Sequence, residues 1–251
     1  MKTIIQIGLK RSGNHGLLNL MKKSCSDNKI IHLNDITVFS YELYKKYSQI
    51  AIGEREKNNN WAGFKNADLV LISIENQNID KLFMELKKFN HLPDFHVIIL
   101  LRNPYNNAAS AYQYFLKIKC TEKDKLTKNL IQQWMEYALF LLTHQFVGNT
   151  IPIIYDKFYK DEQYRKDIFE HLGLNYKKEH LNQVTGWGLS SFDDNCNDAS
   201  KMDIFTRFLV FQNNSFFIQN CFRNKNLCDL WTEICRKFQL KLDPVLLSII
   251  N

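Results

Sequence analysis

The sequence predicts an α/β fold, a parallel β-sheet flanked by helices on both faces. Short apolar runs alternate with helix-patterned segments through the first two thirds of the chain. The runs are continuous, which is typical of parallel strands that are buried on both faces. Glycine and proline are scarce, with 9 and 4 residues in a chain of 251, and this disfavours turn-rich all-β architectures.

The predicted strands and helices follow one another in a βαβ order, which gives parallel pairing. Strands are predicted at residues 3–8, 29–33, 68–74, 96–101 and 151–155. Helices are predicted at residues 14–23, 78–90, 104–117, 126–147 and 161–172. Beyond Gly186 a polar loop leads into helix-like sequence. We therefore expect a single domain over residues 1–251, in which about residues 187–251 form a loop and a helical C-terminal cap.

The composition is that of a folded protein with excess positive charge. Hydrophobic residues make up 45% of the chain, and the formal net charge is +7. This charge favours anionic ligands, without separating a nucleotide from nucleic acid or an acidic polymer. No basic run reaches five residues, so nucleic acid is not expected as a partner. The apolar runs are too short for a signal peptide or a membrane span, and we expect a cytoplasmic protein.

The six cysteines form no CxxC pair. Cys221, Cys228 and Cys235 recur every seven residues, which on a helix places them on one face. We expect buried free thiols, as in a reducing compartment, rather than a metal site or disulfides.

The segment between the first strand and the first helix is a candidate anion site. It reads Gly8-Leu9-Lys10-Arg11-Ser12-Gly13, and backbone N–H groups and the helix dipole at such a junction favour an anion. A triphosphate-binding loop would continue with Lys and then Ser or Thr, which contact the phosphates and Mg²⁺. Asn14 and His15 stand there instead. A ligand neutralised by Lys10, Arg11 and His15 fits better than a magnesium nucleotide.

A second candidate segment follows the strand at 96–101. Arg102 ends the strand, Asn103 is a suitable N-cap and Pro104 takes the first helical position. Ser110 is seven residues beyond Asn103 and so lies on the same helical face, about 10 Å along the axis. Arg102 and Ser110 can converge on one phosphate; the alternative is an Arg that pairs with a carboxylate and a Ser that faces solvent.

Together the two segments resemble the sulfotransferases of the P-loop superfamily, which use 3′-phosphoadenosine 5′-phosphosulfate (PAPS). In that family a G-x-x-[RK]-S-G loop holds the 5′-phosphosulfate, and an Arg before [DN]-P, with a Ser eight residues later, holds the 3′-phosphate. "IPIIYDKFYKDEQYRKDIFEHLGL" (151–174) resembles the family's late strand and helix. "GWGLSSFD" (186–193) with "MDIFTRF" (202–208) resembles the tail of a smaller branch, whose SSFD loop closes over the cofactor.

The resemblance implies a PAPS-dependent sulfotransferase that works without a metal, on a hydroxyl or amine of a small molecule or glycan. The cofactor-binding residues would be Lys10, Arg11, Ser12, Gly13, Asn14, His15, Arg102, Ser110, Ser190, Ser191 and Phe192. Arg11 would take the role of the loop cation. His15 would donate to the sulfuryl oxygens or the leaving phosphate, or else cap its own helix. Glu75, at the end of a strand, would be the general base, or else form a salt bridge to Lys10, Arg11 or Arg102.

Several alternatives stay open from the sequence. A P-loop kinase for a nucleotide or small molecule is one, and an inactive nucleotide-binding module that docks a partner is another. Many relatives place a Trp on the adenine where this chain has Gly16. Trp134 and Tyr137 are expected in the core, although they can also face an acceptor pocket. Acceptor contacts are expected on the loops at 34–66 and 117–128, and a dimer is possible.

Overall fold

The computed structural model describes residues 2–25, 29–36, 67–89, 91–146, 148–183, 192, 196 and 198–250, and within them five strands form one parallel sheet. The strands are β1 (Lys2–Gly8), β2 (Ile30–Leu33), β3 (Leu69–Glu75), β4 (Phe95–Leu101) and β5 (Thr150–Ile154). Their order is β2-β3-β1-β4-β5. Because β1 is the central strand, the loop that follows it opens at the middle of the sheet's carboxyl edge, where ligands bind in open α/β folds.

Helices fill the connections and the C-terminal region. The α-helices are α1 (Asn14–Ser24), α2 (Ile79–Leu86), α3 (Pro104–Lys117), α4 (Lys123–Thr143), α5 (Tyr155–Lys160), α6 (Glu162–His171), α7 (Lys225–Lys237) and α8 (Pro244–Ile250). Shorter 3₁₀ segments are Lys87–Phe89, Lys178–His180, Ala199–Lys201 and Arg207–Phe211. A helical turn at Ser215–Phe217 continues as a π-helical segment at Ile218–Phe222.

Alternate residues of the central strands pack into two hydrophobic cores, one on each face of the sheet. Ile5 and Ile7 pack with residues of α2, α3, α4 and α7. Ile4 packs with residues of α1, α5 and α6 on the other face. A strand that is buried on both faces reads as a continuous apolar run, which is why the sequence reveals these strands. The predicted α/β class, with helices on both faces, is confirmed.

The boundaries differ from the predicted ones at a few points. α4 begins at Lys123 and ends at Thr143, because His144 takes an extended conformation and the polar first turn lacks an apolar pattern. The short helix α5 starts at Tyr155, directly after β5, whereas the predicted strand extends to residue 155. The three cysteines do not share one helix: Cys221 lies in the π-helical segment, before the N-cap of α7 at Asn224. All three are free thiols, Cys221 and Cys235 being buried.

No helix in the described part of the chain combines the length and the apolar character that a membrane span requires.

Candidate active site

The loop between β1 and α1 contains two residues in the left-handed backbone region, of which only one is a glycine. Arg11 has a φ of 67° and Gly13 a φ of 93°, both in the left-handed region. A Cβ on Gly13 would lie 1.9 Å from Cε2 of Tyr155. Glycine is therefore needed there both for its φ and for the close approach of the tyrosine ring.

The N-terminus of α1 is free of side-chain caps. Gly13 is the N-cap and has no side chain, and the first turn contains no acidic residue. The N–H groups of a first turn have no partner within the helix, and the helix dipole adds positive potential there. This end of α1 therefore offers N–H groups to an anion at the centre of the sheet edge.

Asn14 connects the loop to two strands. Its Oδ1 accepts a hydrogen bond from Nε2 of Gln6 at 2.7 Å, and its Nδ2 donates to the carbonyl of Leu9 at 3.0 Å and to Oε1 of Glu75 at 2.5 Å. The side chain also fills the space over Gly8, where a Cβ would meet Oδ1 at 2.4 Å. The predicted ligand contact of Asn14 can thus come from its backbone N–H, since its side chain is turned inward.

Glu75 lies at the end of β3, and the salt bridge offered as its alternative role is not formed within the described residues. Its contact is with Asn14, an uncharged donor. Lys10 instead lies 3.9 Å from Oδ2 of Asp35, and its backbone N–H donates to Oδ1 of Asn76. Asn14 therefore holds the carboxylate of Glu75 in place, and Glu75 lies close enough to Arg11 and His15 to interact with them electrostatically.

The two other charged candidates of the loop, Arg11 and His15, are half-buried. The Arg11 guanidinium lies over the ring of Tyr114, with its Cζ 4.1 Å from the ring centroid. Burial lowers the pKa of His15. The negative charge of Glu75 raises it, and the positive charges of Lys22 and Arg11 lower it further. Within the described part of the chain the His15 side chain forms no hydrogen bond, so its alternative role as a cap of α1 is not seen.

Arg102 joins three segments at the end of β4. The residue is 2% exposed. Its Nη1 donates to the carbonyl of Arg11 at 3.1 Å and to Oγ of Ser110 at 3.3 Å, and its Nη2 donates to the carbonyl of Ile204 at 2.5 Å. The guanidinium lies over the ring of Tyr155, 4.9 Å from the centroid. Its Nε has no hydrogen-bond acceptor among the described residues.

A second arginine, Arg207, reaches the same hydroxyl from the C-terminal region. Its Nη1 donates to Oγ of Ser110 at 3.1 Å, and its Nε donates to the carbonyl of Asp203 at 2.8 Å. Its Cζ lies 5.2 Å from the ring centroid of Phe192. Ser110 is 1% exposed. Two buried guanidinium groups therefore converge on one serine, and Arg102 and Ser110 do not adopt the alternative of a carboxylate pair and a solvent-facing hydroxyl.

The first turn of α3 holds these segments together. Asn103 caps the helix by accepting from the N–H groups of Tyr105 and Asn106, as predicted, and Pro104 follows it. Nδ2 of Asn106 donates to the carbonyl of Phe205, and Nδ2 of Asn107 donates to the carbonyl of Lys10. The asparagines thus tie both the β1–α1 loop and the segment that carries Arg207 to one helix.

A buried carboxylate supports the same turn. Oδ2 of Asp156 accepts from the backbone N–H of Asn103 at 2.8 Å. Burial raises the pKa of Asp156, while the charge of Arg102 and the N–H of Asn103 oppose this.

Trp134 and Tyr137 are core residues, as first expected, and each is 1% exposed. Nε1 of Trp134 donates to the carbonyl of Arg102 at 2.7 Å, and the hydroxyl of Tyr137 donates to the carbonyl of Gln77 at 3.0 Å. They support the site from behind and do not line an open acceptor pocket.

The structure brings the loop from Lys10 to His15 together with Arg102 and Ser110 through the Arg102 guanidinium. Ser190 and Ser191 lie outside the described residues, as does most of the predicted acceptor loop at 34–66. Sequence reasoning missed Arg207, although it belongs to the quoted tail segment "MDIFTRF". The available signal was a single arginine in the largely apolar segment at 204–211, where a buried charge needs a specific partner.

Three solved structures share this fold over nearly the whole chain. Mouse sulfotransferase SULT7A1, crystallised with PAP, is 15% identical to this chain, with a TM-score of 0.55. The alignment covers 99% of this chain and 88% of the mouse protein. The sulfotransferase domain of the Synechococcus PCC 7002 olefin synthase is 13% identical, with a TM-score of 0.52 and 96% of each chain covered. The chain has the sulfotransferase fold. The sulfotransferase domain from the curacin biosynthetic pathway is similar as well, at 14% identity and a TM-score of 0.50.

No family model and no curated protein matches the sequence. The sulfotransferase fold places the β1–α1 loop and the β4–α3 junction side by side at the carboxyl edge of the sheet, because β1 and β4 are neighbouring strands. Within the described residues no group of three or more His, Cys, Asp and Glu is arranged to hold a metal ion.

Proposed function

We propose that the protein is a sulfotransferase that takes a sulfuryl group from PAPS and transfers it to a hydroxyl or amine of a small molecule or glycan. The observation that carries the proposal is the convergence of Arg102 and Arg207 on Ser110, next to the uncapped N-terminus of α1. Arg102 contacts both the β1–α1 loop and Ser110, so the two candidate anion sites are adjacent. Two adjacent anion sites match a ligand with two separate anionic groups. PAPS has such groups in its 3′-phosphate and its 5′-phosphosulfate.

The pair of arginines is suited to the 3′-phosphate. Two buried guanidinium groups repel each other, and a dianion between them removes this repulsion. Arginine donates to phosphate in a bidentate, charge-assisted geometry, which is stronger than a neutral hydrogen bond. The Nε–H of Arg102 has no acceptor among the described residues and is available for such a contact. The hydroxyl of Ser110 would complete the set of donors.

The β1–α1 loop would hold the 5′-phosphosulfate. The first-turn N–H groups of α1, with the side chains of Lys10 and Arg11, supply donors and positive charge. Next to the loop, the ring of Tyr155 packs on Gly13, and the ring of Phe192 packs on Arg207. Tyr155 is buried and its ring lies against Arg102, whereas Phe192 is only partly buried. The ring of Phe192 is therefore the candidate for contact with the adenine, in place of the tryptophan that many relatives have.

The side chains around the loop would provide acid–base and electrostatic catalysis. When bound there, PAPS would supply the sulfuryl group, and PAP would be the leaving group. The carboxylate of Glu75 would accept the proton of the acceptor hydroxyl, a contribution of about 10²–10⁴-fold. Arg11 would stabilise the charge that develops on the leaving oxygen, without reorganising during the reaction. His15, whose pKa is lowered by burial, would donate an N–H to the sulfuryl oxygens or to the leaving phosphate.

A thermal-shift comparison of PAP, ATP with Mg²⁺, and GTP with Mg²⁺ tests this assignment. Ligands that bind the native state alone raise the unfolding temperature, and at equal concentration a ligand that binds more tightly raises it further. We expect PAP to give the largest increase, with no need for Mg²⁺. An increase with ATP and Mg²⁺ and none with PAP would instead favour a P-loop kinase. Strong PAP binding without PAP release from PAPS, over a panel of phenols, alcohols and amines, would favour an inactive binding module.

A further inference from the structure

A groove lies between the outer faces of α4 and α7, on the side of α4 that points away from the sheet. Its volume is about 490 Å³. The lining residues of α4 begin at Gln132 and recur at i+3, i+4 and i+7, and those of α7 begin at Asn226 and recur at the same intervals. Each helix therefore contributes one stripe of two turns, and the groove runs for about 10 Å along both helices.

The floor of the groove is apolar. It is formed by Met135 and Leu139 on α4 and by Leu230 on α7. Leu139, in the last two turns of α4, is 54% exposed. Leu139 therefore forms, with Met135 and Leu230, one apolar strip along the groove.

The rim of the groove is acidic, in a chain whose net charge is +7. Glu136, Asp229 and Glu233 line it, and no Lys or Arg is among the lining residues. Glu233 pairs with Arg236, whereas Glu136 and Asp229 form no ion pair within the described part of the chain. The groove is therefore a local negative surface that favours a cationic partner, and it disfavours contact with the protein's own anionic ligands.

We propose that this groove binds a basic amphipathic helix of a partner protein. Two parallel stripes with helical spacing accept a third helix, whose apolar residues at i, i+3, i+4 and i+7 contact the floor. Lysine or arginine on its flanks would pair with Glu136 and Asp229. The inner face of α4 supports Arg102 through Trp134, so the groove and the candidate active site lie on opposite sides of one helix. The proposal does not depend on the sulfotransferase activity.

Fluorescence anisotropy with a designed peptide tests the proposal. The probe is a labelled 18-residue helix with leucines on one face and lysines on its flanks, prepared in several leucine registers. Its control has the same composition in a permuted order that abolishes the amphipathic pattern. We expect micromolar binding of the helix, at least tenfold weaker binding of the permuted peptide, and weaker binding at high salt.

The protein variants separate the groove from the rest of the surface. The double variant Glu136→Lys/Asp229→Lys and the variant Leu139→Asp should each weaken peptide binding at least tenfold. Met84→Asp and Glu170→Lys make matched changes at exposed positions elsewhere and should change it less than twofold. Thermal unfolding confirms that each variant is folded. Equal binding of amphipathic and permuted peptides in every register, unchanged binding to the groove variants, or displacement of the peptide by millimolar spermidine alone would overturn the proposal.

Discussion

Ser110 shows how much of this site depends on single side chains. Its hydroxyl accepts a hydrogen bond from each of two arginines and so fixes both guanidinium groups. A phosphate oxygen could bind beside this hydroxyl and accept from the same two groups. Arg102 is in turn held by two backbone carbonyls, from Arg11 and Ile204. These carbonyls are neutral acceptors, and the buried carboxyl of Asp156 interacts electrostatically with Arg102.

The carboxylate of Glu75 leads to a prediction about turnover. Glu75→Gln keeps an oxygen that can accept from Asn14, so the loop should keep its conformation. It removes the proton acceptor, and PAP release from PAPS should fall about 100-fold or more. The affinity for PAP, measured by calorimetry, should change less than threefold. Loss of PAP binding in this variant would show that Glu75 has a structural role instead.

At the scale of elements, α3 organises the site through its first turn. The two asparagines that follow the cap bind carbonyls of the β1–α1 loop and of the segment before Arg207. The N-cap and the proline at the first position were evident from the sequence, because capping is a local preference. The carbonyls that the asparagines bind were not, because they are 97 and 99 residues away in the chain.

The cap itself gives a stability prediction. Asn103→Ala removes the acceptor for two N–H groups, and the free energy of unfolding should fall by about 1 kcal/mol, as is usual for a lost N-cap. Urea denaturation followed by circular dichroism measures this change. Asn129→Ala, at an exposed position within α4, serves as the control and should change stability by less than about 0.5 kcal/mol. Equal losses in the two variants would mean that the cap contributes little.

At the scale of the whole molecule, the sequence predicted the β-sheet. It predicted only part of the site, in which Arg102 and Arg207 both contact Ser110. The five strands are continuous apolar runs, and burial on both faces leaves a clear mark in the sequence. Arg102 and Ser110 could be paired because both lie on one strand–helix unit. Arg207 could not be placed, since it lies in a 3₁₀ segment 97 residues beyond Ser110 and no periodic pattern relates the two.

Buried histidines make the stability of the whole chain depend on pH. Burial, with smaller effects from Lys2 and His171 and opposed by Asp94, lowers the pKa of His96 to about 4. In the unfolded chain the pKa of a histidine is about 6.5. Between these values the unfolded state binds more protons, so the stability from this residue is complete above pH 6.5 and is lost as the pH falls towards 4.

Chemical denaturation at several pH values tests this expectation. The free energy of unfolding should fall between pH 6.5 and 4, with about 1–2 kcal/mol of the loss due to His96. In His96→Gln this part of the loss should be absent, whereas the exposed control His91→Gln should keep the wild-type dependence. A His96→Gln protein with an unchanged pH dependence would contradict the assignment.

The most direct test of the proposed function compares PAP with AMP, which lacks the 3′-phosphate, by isothermal titration calorimetry. If Arg102 and Arg207 bind that phosphate, wild-type protein should bind PAP at least tenfold more tightly than AMP. Arg207→Ala should remove most of this difference and change AMP affinity less than twofold, while Arg223→Ala, an exposed control, should leave both affinities unchanged. Equal binding of PAP and AMP by the wild-type protein, or equal losses for both ligands in Arg207→Ala, would contradict the account.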